Sequence, residues 1–113
     1  MNKIGFILLS ISLVSMPVCG DIINVQYNNN SNAQAFIPIL VDFDQEKLTI
    51  QFLDHKDYDI EVVGQEGTVV DRTRSEEDCP VMRINMQDEN RGTYEIHFHD
   101  EEGNTLSGKF KKE

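Results

Sequence analysis

The fold of this 113-residue chain is decided by residues 92–110, which read GTYEIHFHDEEGNTLSGKF. Apolar and polar side chains alternate over residues 93–99, which is the period of a half-buried β-strand. In the acidic turn that follows, Gly103 can adopt the left-handed conformation that closes a type I turn with a bulge. The chain then returns as a second strand, so the stretch predicts a β-hairpin. Its predicted core residues are Tyr94, Ile96, Phe98, Leu106 and Phe110. Tyr94 is also predicted to be a corner tyrosine whose hydroxyl bonds a nearby backbone group.

Alternation of this kind, and for residues 68–73 a preceding glycine-containing loop with two valines, predicts five strands upstream of the hairpin. They cover residues 35–43, 47–53, 58–63, 68–73 and 81–86. Turn signals recur roughly every ten residues and no helical pattern alternates with the strands, which favours an antiparallel sandwich or barrel. We therefore predict an all-β fold, an antiparallel immunoglobulin-like β-sandwich of about seven strands. The chain has no tryptophan and no cysteine pair of the antibody type. Pro38 cannot donate a ladder hydrogen bond, so the first of these strands is predicted to lie at a sheet edge.

Residues 1–20 have the composition of a signal peptide. Lys3 precedes an apolar run over residues 4–14, which is too short to span a bilayer, and small residues follow. We predict cleavage before Asp21 and export to the periplasm or the medium. The alternative is a lipoprotein signal, in which Cys19 would be lipidated and would anchor the protein to a membrane. The residues before Cys19 suit that signal poorly, so ordinary secretion is favoured.

Residues 21–34 are predicted to form a flexible tether before the sandwich domain at residues 35–113. The polar run over residues 28–32 competes for backbone hydrogen bonds and breaks regular structure. The apolar residues of the stretch 21–27 leave a short additional strand as the alternative. After cleavage only Cys79 remains, so no internal disulfide can form, and we interpret this cysteine as structural and partly buried.

The charge of the chain excludes two classes of partner. Ten basic side chains face twenty acidic ones, and removal of Lys3 with the leader increases the imbalance. Nucleic acids and anionic membrane surfaces are bound through basic patches. Neither is therefore an expected partner, and a membrane enters only through lipidation of Cys19.

The strand and turn sequences resemble a known family. The residues that carry the likeness are FIP at 36–38, LTIQF at 48–52, YDIEV at 58–62, GTYEI at 92–96, EGN at 102–104 and LSGKF at 106–110. They are similar to a family of small secreted proteins of Bacteroides-type bacteria, whose function is unknown. The resemblance implies an immunoglobulin-like β-sandwich and no catalytic residues. The hairpin is more weakly similar to C-terminal secretion-sorting domains, which follow a long passenger that is absent here.

Two histidines form the main candidate site. His97 and His99 lie two residues apart on one strand and project from the same face beside Glu95, and His55 is a third candidate from a distant turn. Imidazole groups at this spacing can share a transition metal. The competing interpretation is an exposed, solvated strand face.

Acidic loop positions suggest a second site, for calcium, which takes six to eight oxygen ligands. The candidate positions are Asp42, Asp44, Asp54, Asp57, Asp59 and residues 100–102. No EF-hand spacing is present, so this set equally fits solvated loops.

Catalytic motifs are missing from the sequence. The serines lack a nucleophile-elbow context, and no glycine-rich loop joins a strand to a helix. We predict an exported, non-catalytic module without a cofactor, which binds an unknown protein or glycan at the cell envelope. The alternatives are an accessory domain of a secretion or sorting system, and a metal-responsive protein that uses the two histidines.

Overall fold

The computed structural model describes residues 20–28, 36–76 and 79–113, and every regular element in these ranges is a β-strand. In chain order the strands are β1 (Asp21–Ile23), β2 (Gln26–Tyr27), β3 (Ile39–Phe43), β4 (Lys47–Phe52), β5 (Tyr58–Val63), β6 (Val69–Arg74), β7 (Val81–Asn85), β8 (Gly92–Asp100) and β9 (Thr105–Lys112). In these ranges no helix is long and apolar enough to cross a membrane. Residues 1–19, with the predicted leader and Cys19, lie outside the described part.

Two antiparallel sheets form the molecule. The four-stranded sheet has the order β1-β3-β4-β7, and the five-stranded sheet has the order β2-β9-β8-β5-β6. All seven predicted strands are present, as β3 to β9, and two short strands precede them. Each sheet turns its apolar side chains inward, because residues two apart on a strand share a face. The predicted fold class is confirmed.

The hairpin of β8 and β9 is paired as the sequence predicts. Tyr94 lies opposite Phe110, and Phe98 lies opposite Leu106, so these side chains share the inward face. All five predicted core residues of the hairpin are buried. Gly103 has a φ of 90°, which is the left-handed conformation expected for the turn.

An aromatic group joins the hairpin to the opposite sheet. Tyr94 stacks on Phe110 with ring centroids 5.6 Å apart, and Phe110 meets Phe43 of β3 at 4.7 Å. The Tyr94 hydroxyl donates a hydrogen bond to the Asn90 carbonyl oxygen, so the predicted tyrosine corner is confirmed.

Residues 20–28, which we call the N-terminal strap, cross one side of the sandwich from sheet to sheet. β1 pairs with the end of β3 at residues 41–43, and β2 pairs with β9 at residues 106 and 107. Between the two strands the strap passes over Gly108. A Cβ atom at Gly108 would lie 2.8 Å from the Ile23 side chain and 2.9 Å from the Asn24 carbonyl oxygen. Only a residue without a side chain lets the strap lie this close.

The strap corrects two sequence predictions. The flexible tether is wrong for residues 21–27, because Ile23 and Val25 are buried in the core, and burial of each contributes about 1.5–3 kcal/mol. The edge position of the strand containing Pro38 is wrong for residues 41–43, which β1 covers. Proline removes a donor only at its own position, so it does not constrain pairing further along the strand.

Candidate functional site

The outer face of the five-stranded sheet carries both predicted histidine ligands. His97 and His99 share this face as predicted. His97 Nε2 lies 3.1 Å from a Glu95 carboxylate oxygen, and His99 Nδ1 lies 3.3 Å from the Thr105 hydroxyl. Among the described residues no group of three or more His, Cys, Asp or Glu side chains is placed to hold a metal ion. The metal site therefore stays a prediction, with His97 and His99 as its two candidate ligands on this face.

Cross-strand pairs occupy most of the other polar groups of this face. Arg72 donates to one Glu61 oxygen from Nε at 2.9 Å and from Nη2 at 2.6 Å. Lys109 lies 4.0 Å from Glu95 on the neighbouring strand. Exposed pairs of this kind contribute little stability. They do neutralise one another, which is the arrangement of a solvated sheet face.

Two of the acidic positions proposed for calcium are used by their own turns. One oxygen of Asp44 accepts hydrogen bonds from the backbone N–H groups of Glu46 and Lys47, both at 2.9 Å. These bonds lower the pKa of Asp44. One oxygen of Asp100 similarly accepts two backbone N–H groups, at 2.9 and 2.8 Å. The structure therefore gives both carboxyl groups a role in fixing turns.

Cys79 lies in a cavity of about 320 Å³ at the end of the sandwich, beside His55 and Asp54. Its free thiol is exposed, so the prediction of a partly buried structural cysteine is wrong. The residue precedes β7 in a loop, where no strand pairing draws it inward. His55 lines this loop cavity, whereas His99 lines another cavity with Glu61 and Arg72.

The outer face of the four-stranded sheet has a different character. The exposed apolar side chains on and beside this sheet, with their exposed fractions, are Ile22 (60%), Phe36 (71%), Leu40 (47%) and Leu53 (44%). Ile22 and Leu40 lie on its strands, whereas Phe36 precedes β3 and Leu53 follows β4. We call this set the apolar face. Leu40 points outward because Ile39 and Val41 on either side of it are buried. Ile22 and Leu40 line one groove together, and neighbouring exposed apolar side chains are typical of a surface that contacts another molecule.

A groove of about 340 Å³ lies beside the apolar face, between the strap and the start of β3. Its lining consists of Ile22, Ile23, Asn24, Val25, Ile37, Ile39 and Leu40. β1 reaches only as far as Val41, so within the described ranges residues 39 and 40 have no strand neighbour on that side. An unpaired strand edge next to an apolar groove is the geometry that accepts an added strand.

Sequence reasoning missed the apolar face, although a signal was present. The alternation in β3 predicts which residues face the core, and the signal lies at the alternate, outward positions. There the chain has Phe36, Pro38 and Leu40 where a solvated strand has polar residues. Apolar residues at both inward and outward positions indicate a strand that is covered on both faces or that contacts a binding partner.

The sheet order and the alternating burial define an immunoglobulin-like β-sandwich. The chain belongs to the family described as a domain of unknown function, DUF3244, whose model matches residues 16–112. This match confirms the family resemblance identified from the sequence. A solved DUF3244 protein from Bacteroides vulgatus ATCC 8482, described as an immunoglobulin-like β-sandwich, is similar with a TM-score of 0.69 and 20% identity. The alignment covers 81% of this chain and 97% of that protein. No curated protein matches the chain.

Proposed function

We propose that this chain is an exported, non-catalytic binding module that receives an extended, apolar segment of a protein at the bacterial envelope. The observation that carries the proposal is the coincidence of the apolar face, the groove and an unpaired stretch of β3. The backbone of an added segment would pair with the β3 edge. Its side chains would meet Leu40 and the groove lining, which gives both affinity and selectivity.

A protein partner fits this surface better than a glycan. Sugar rings are commonly held by stacking on exposed aromatic faces. Among the described residues only Phe36 presents a large aromatic surface to solvent, while the other phenylalanines are buried. The apolar face offers aliphatic side chains instead, and these match apolar side chains of a polypeptide. Export rests on the leader-like composition of residues 1–20.

Photo-crosslinking in cells tests the proposal. A photoreactive amino acid replaces Leu40 in one version of the full chain and Val69 in another. Val69 is a suitable control because it is 41% exposed but lies on β6 of the other sheet. We expect a covalent adduct with an envelope protein from position 40 and none from position 69. Mass spectrometry of the adduct then shows whether the partner belongs to a secretion system.

Three outcomes would contradict the proposal. They are equal adducts from both positions, no adduct from position 40, and an adduct with twice the mass of this chain. The last would identify a second copy as the occupant. A double substitution, Phe36→Ser with Leu40→Ser, should abolish the adduct from a reactive group at Leu53, whereas Val69→Ser should leave it unchanged.

A further inference from the structure

One buried side-chain polar atom has no hydrogen-bond partner among the described residues, and it is Oδ1 of Asp42. Asp42 lies on β3 opposite Ile22 of the strap, on the outer side of the four-stranded sheet. Its chain neighbours Val41 and Phe43 face the core, and Asp42 itself is only 7% exposed. A buried acceptor without a donor costs about 1–3 kcal/mol, and more when it is charged. The position therefore favours any group that can donate to it.

The surrounding charges indicate which kind of group that is. Burial is the largest cause that raises the pKa of Asp42, and the carboxyl groups of Asp44 and Asp21 raise it further, while the Gly20 backbone N–H lowers it. Arg83 lies in the same cross-strand row, but Thr49 of β4 stands between them. No ion pair joins Asp42 to a basic side chain of the described ranges. Asp42 therefore has two carboxyl groups near it and no basic partner among the described residues, which favours a positively charged donor.

The predicted cleavage point, before Asp21, lies at this position. Asp21 is paired with Phe43, and Ile22 with Asp42. Gly20 packs so closely on the end of β3 that a Cβ atom there would be 2.0 Å from the Phe43 carbonyl oxygen. The backbone N–H of Gly20 is already a hydrogen-bond donor to the Asp42 carboxyl group. Consecutive Cα atoms lie about 3.8 Å apart, so the next nitrogen along the chain, that of Asp21, lies one residue from this hydrogen bond and near the carboxyl group.

We propose that the buried carboxyl group of Asp42 binds the chain's own α-ammonium group, which removal of the leader before Asp21 creates. This inference rests on the export component of the proposed function and not on its binding surface. Cleavage removes the Gly20 donor and puts a cation with three N–H donors beside Asp42. The pair holds β1 against β3, so removal of the leader should add to the stability of a strap that is already paired with β3.

The test compares four forms of residues 21–113, with a free or acetylated N-terminus and with or without the substitution Asp42→Asn. At pH 7 the free amine should raise the Tm of the parent chain by about 4 °C or more, whereas in the Asp42→Asn chain the two termini should agree within about 1 °C. In the acetylated chain Asp42→Asn should not lower the Tm, because it replaces an unpaired buried charge with a neutral amide. In the free chain the same substitution should lower it.

A titration by NMR gives a second, independent readout. The α-amino pKa should lie above the usual value of about 7.7–8.0 and return to that range in Asp42→Asn. Because the folded-state pKa is raised, the stabilisation should be complete at pH 7 and lost as the pH rises through the raised value. Asp44→Asn is the matched control and should keep the Tm difference between free and acetylated chains.

Equal Tm values for the free and acetylated parent chains would overturn the inference. A difference that survives unchanged in Asp42→Asn would overturn it as well, since general attraction to acidic neighbours would then explain it. Neither measurement involves a binding partner. The inference can therefore fail while the proposed binding surface stands, and the reverse also holds.

Discussion

Asp100 shows how a single side chain fixes the hairpin on which the fold depends. Its carboxylate is 2% exposed and lies 3.6 Å from Lys56 Nζ. Burial alone would raise the pKa of Asp100, but hydrogen bonds from Asn104 and from the Glu102 backbone, with the Lys56 charge, hold it below its ordinary value. The sequence indicated an acidic turn here. In the structure the Asp100 carboxylate stabilises that turn by accepting its backbone N–H groups.

We expect Asp100→Asn to lower the free energy of unfolding by about 2 kcal/mol at pH 7, because hydrogen bonds to a charged acceptor contribute about 1.5–3 kcal/mol. The folded-state pKa is lowered, so this stabilisation is complete above the ordinary pKa of about 4 and is lost as the pH falls through the folded value. Urea unfolding should show the parent and the variant converging between about pH 5 and pH 2. The control is Asp59→Asn, whose exposed carboxylate lies 3.8 Å from Arg74. It should cost less than about 0.5 kcal/mol. A loss that does not change with pH would contradict this assignment.

Residue roles differed in how far the sequence revealed them. The tyrosine corner at Tyr94 was predictable, because a tyrosine on an inward strand position next to a turn recurs in sandwiches. The burial of Asp42 was not, because its position in the alternation places it outward, between Ile22 of the strap and Thr49 of β4. His97 and His99 were placed correctly on one face, since period two fixes orientation but not the position of a third ligand.

At the scale of elements, the strap depends on a glycine far away in the chain. Gly108 lies on β9 beneath the crossing between β1 and β2. A methyl group there must displace Ile23 or the Asn24 backbone, because both would lie closer than 3.0 Å. Two- and three-residue strands carry too little periodicity to be predicted, and the dependence on Gly108 spans most of the chain. The tether interpretation failed for this reason.

We expect Gly108→Ala to destabilise the domain by about 1–3 kcal/mol, the usual cost of overpacking. Amide exchange measured by NMR should increase first at Ile23 and Val25, before the rest of the core. The matched control is Gly64→Ala, where the nearest atom to the added Cβ would be 3.6 Å away. Equal protection of the strap in the parent and in Gly108→Ala would show that the strap does not rest on this position.

At the scale of the whole molecule, most of the seven long strands and their inward residues were predictable because they follow a period of two. The exception is β6, where Val69 and Val70 are adjacent and no residue is buried. The crossing of the N-terminal strap between the sheets was not predictable, since it depends on contacts between the first and last parts of the chain. The apolar face was visible in the sequence in and before β3 only as apolar residues at positions where a solvated strand has polar ones. The pairing and burial of the strap move the start of the sandwich domain from the predicted residue 35 to residue 20 or 21.

Removing the strap tests that boundary most directly. We expect a chain that begins at Ala35 to be less stable than the chain that begins at Asp21 by at least about 3 kcal/mol, because it loses the burial of Ile23 and Val25 at about 1.5–3 kcal/mol each. Urea unfolding of both chains at pH 7 measures the difference. A chain from Asp21 with Ile23→Ser and Val25→Ser should show most of the same loss. Equal unfolding midpoints for the two lengths would contradict the strap and restore residues 21–34 as a tether.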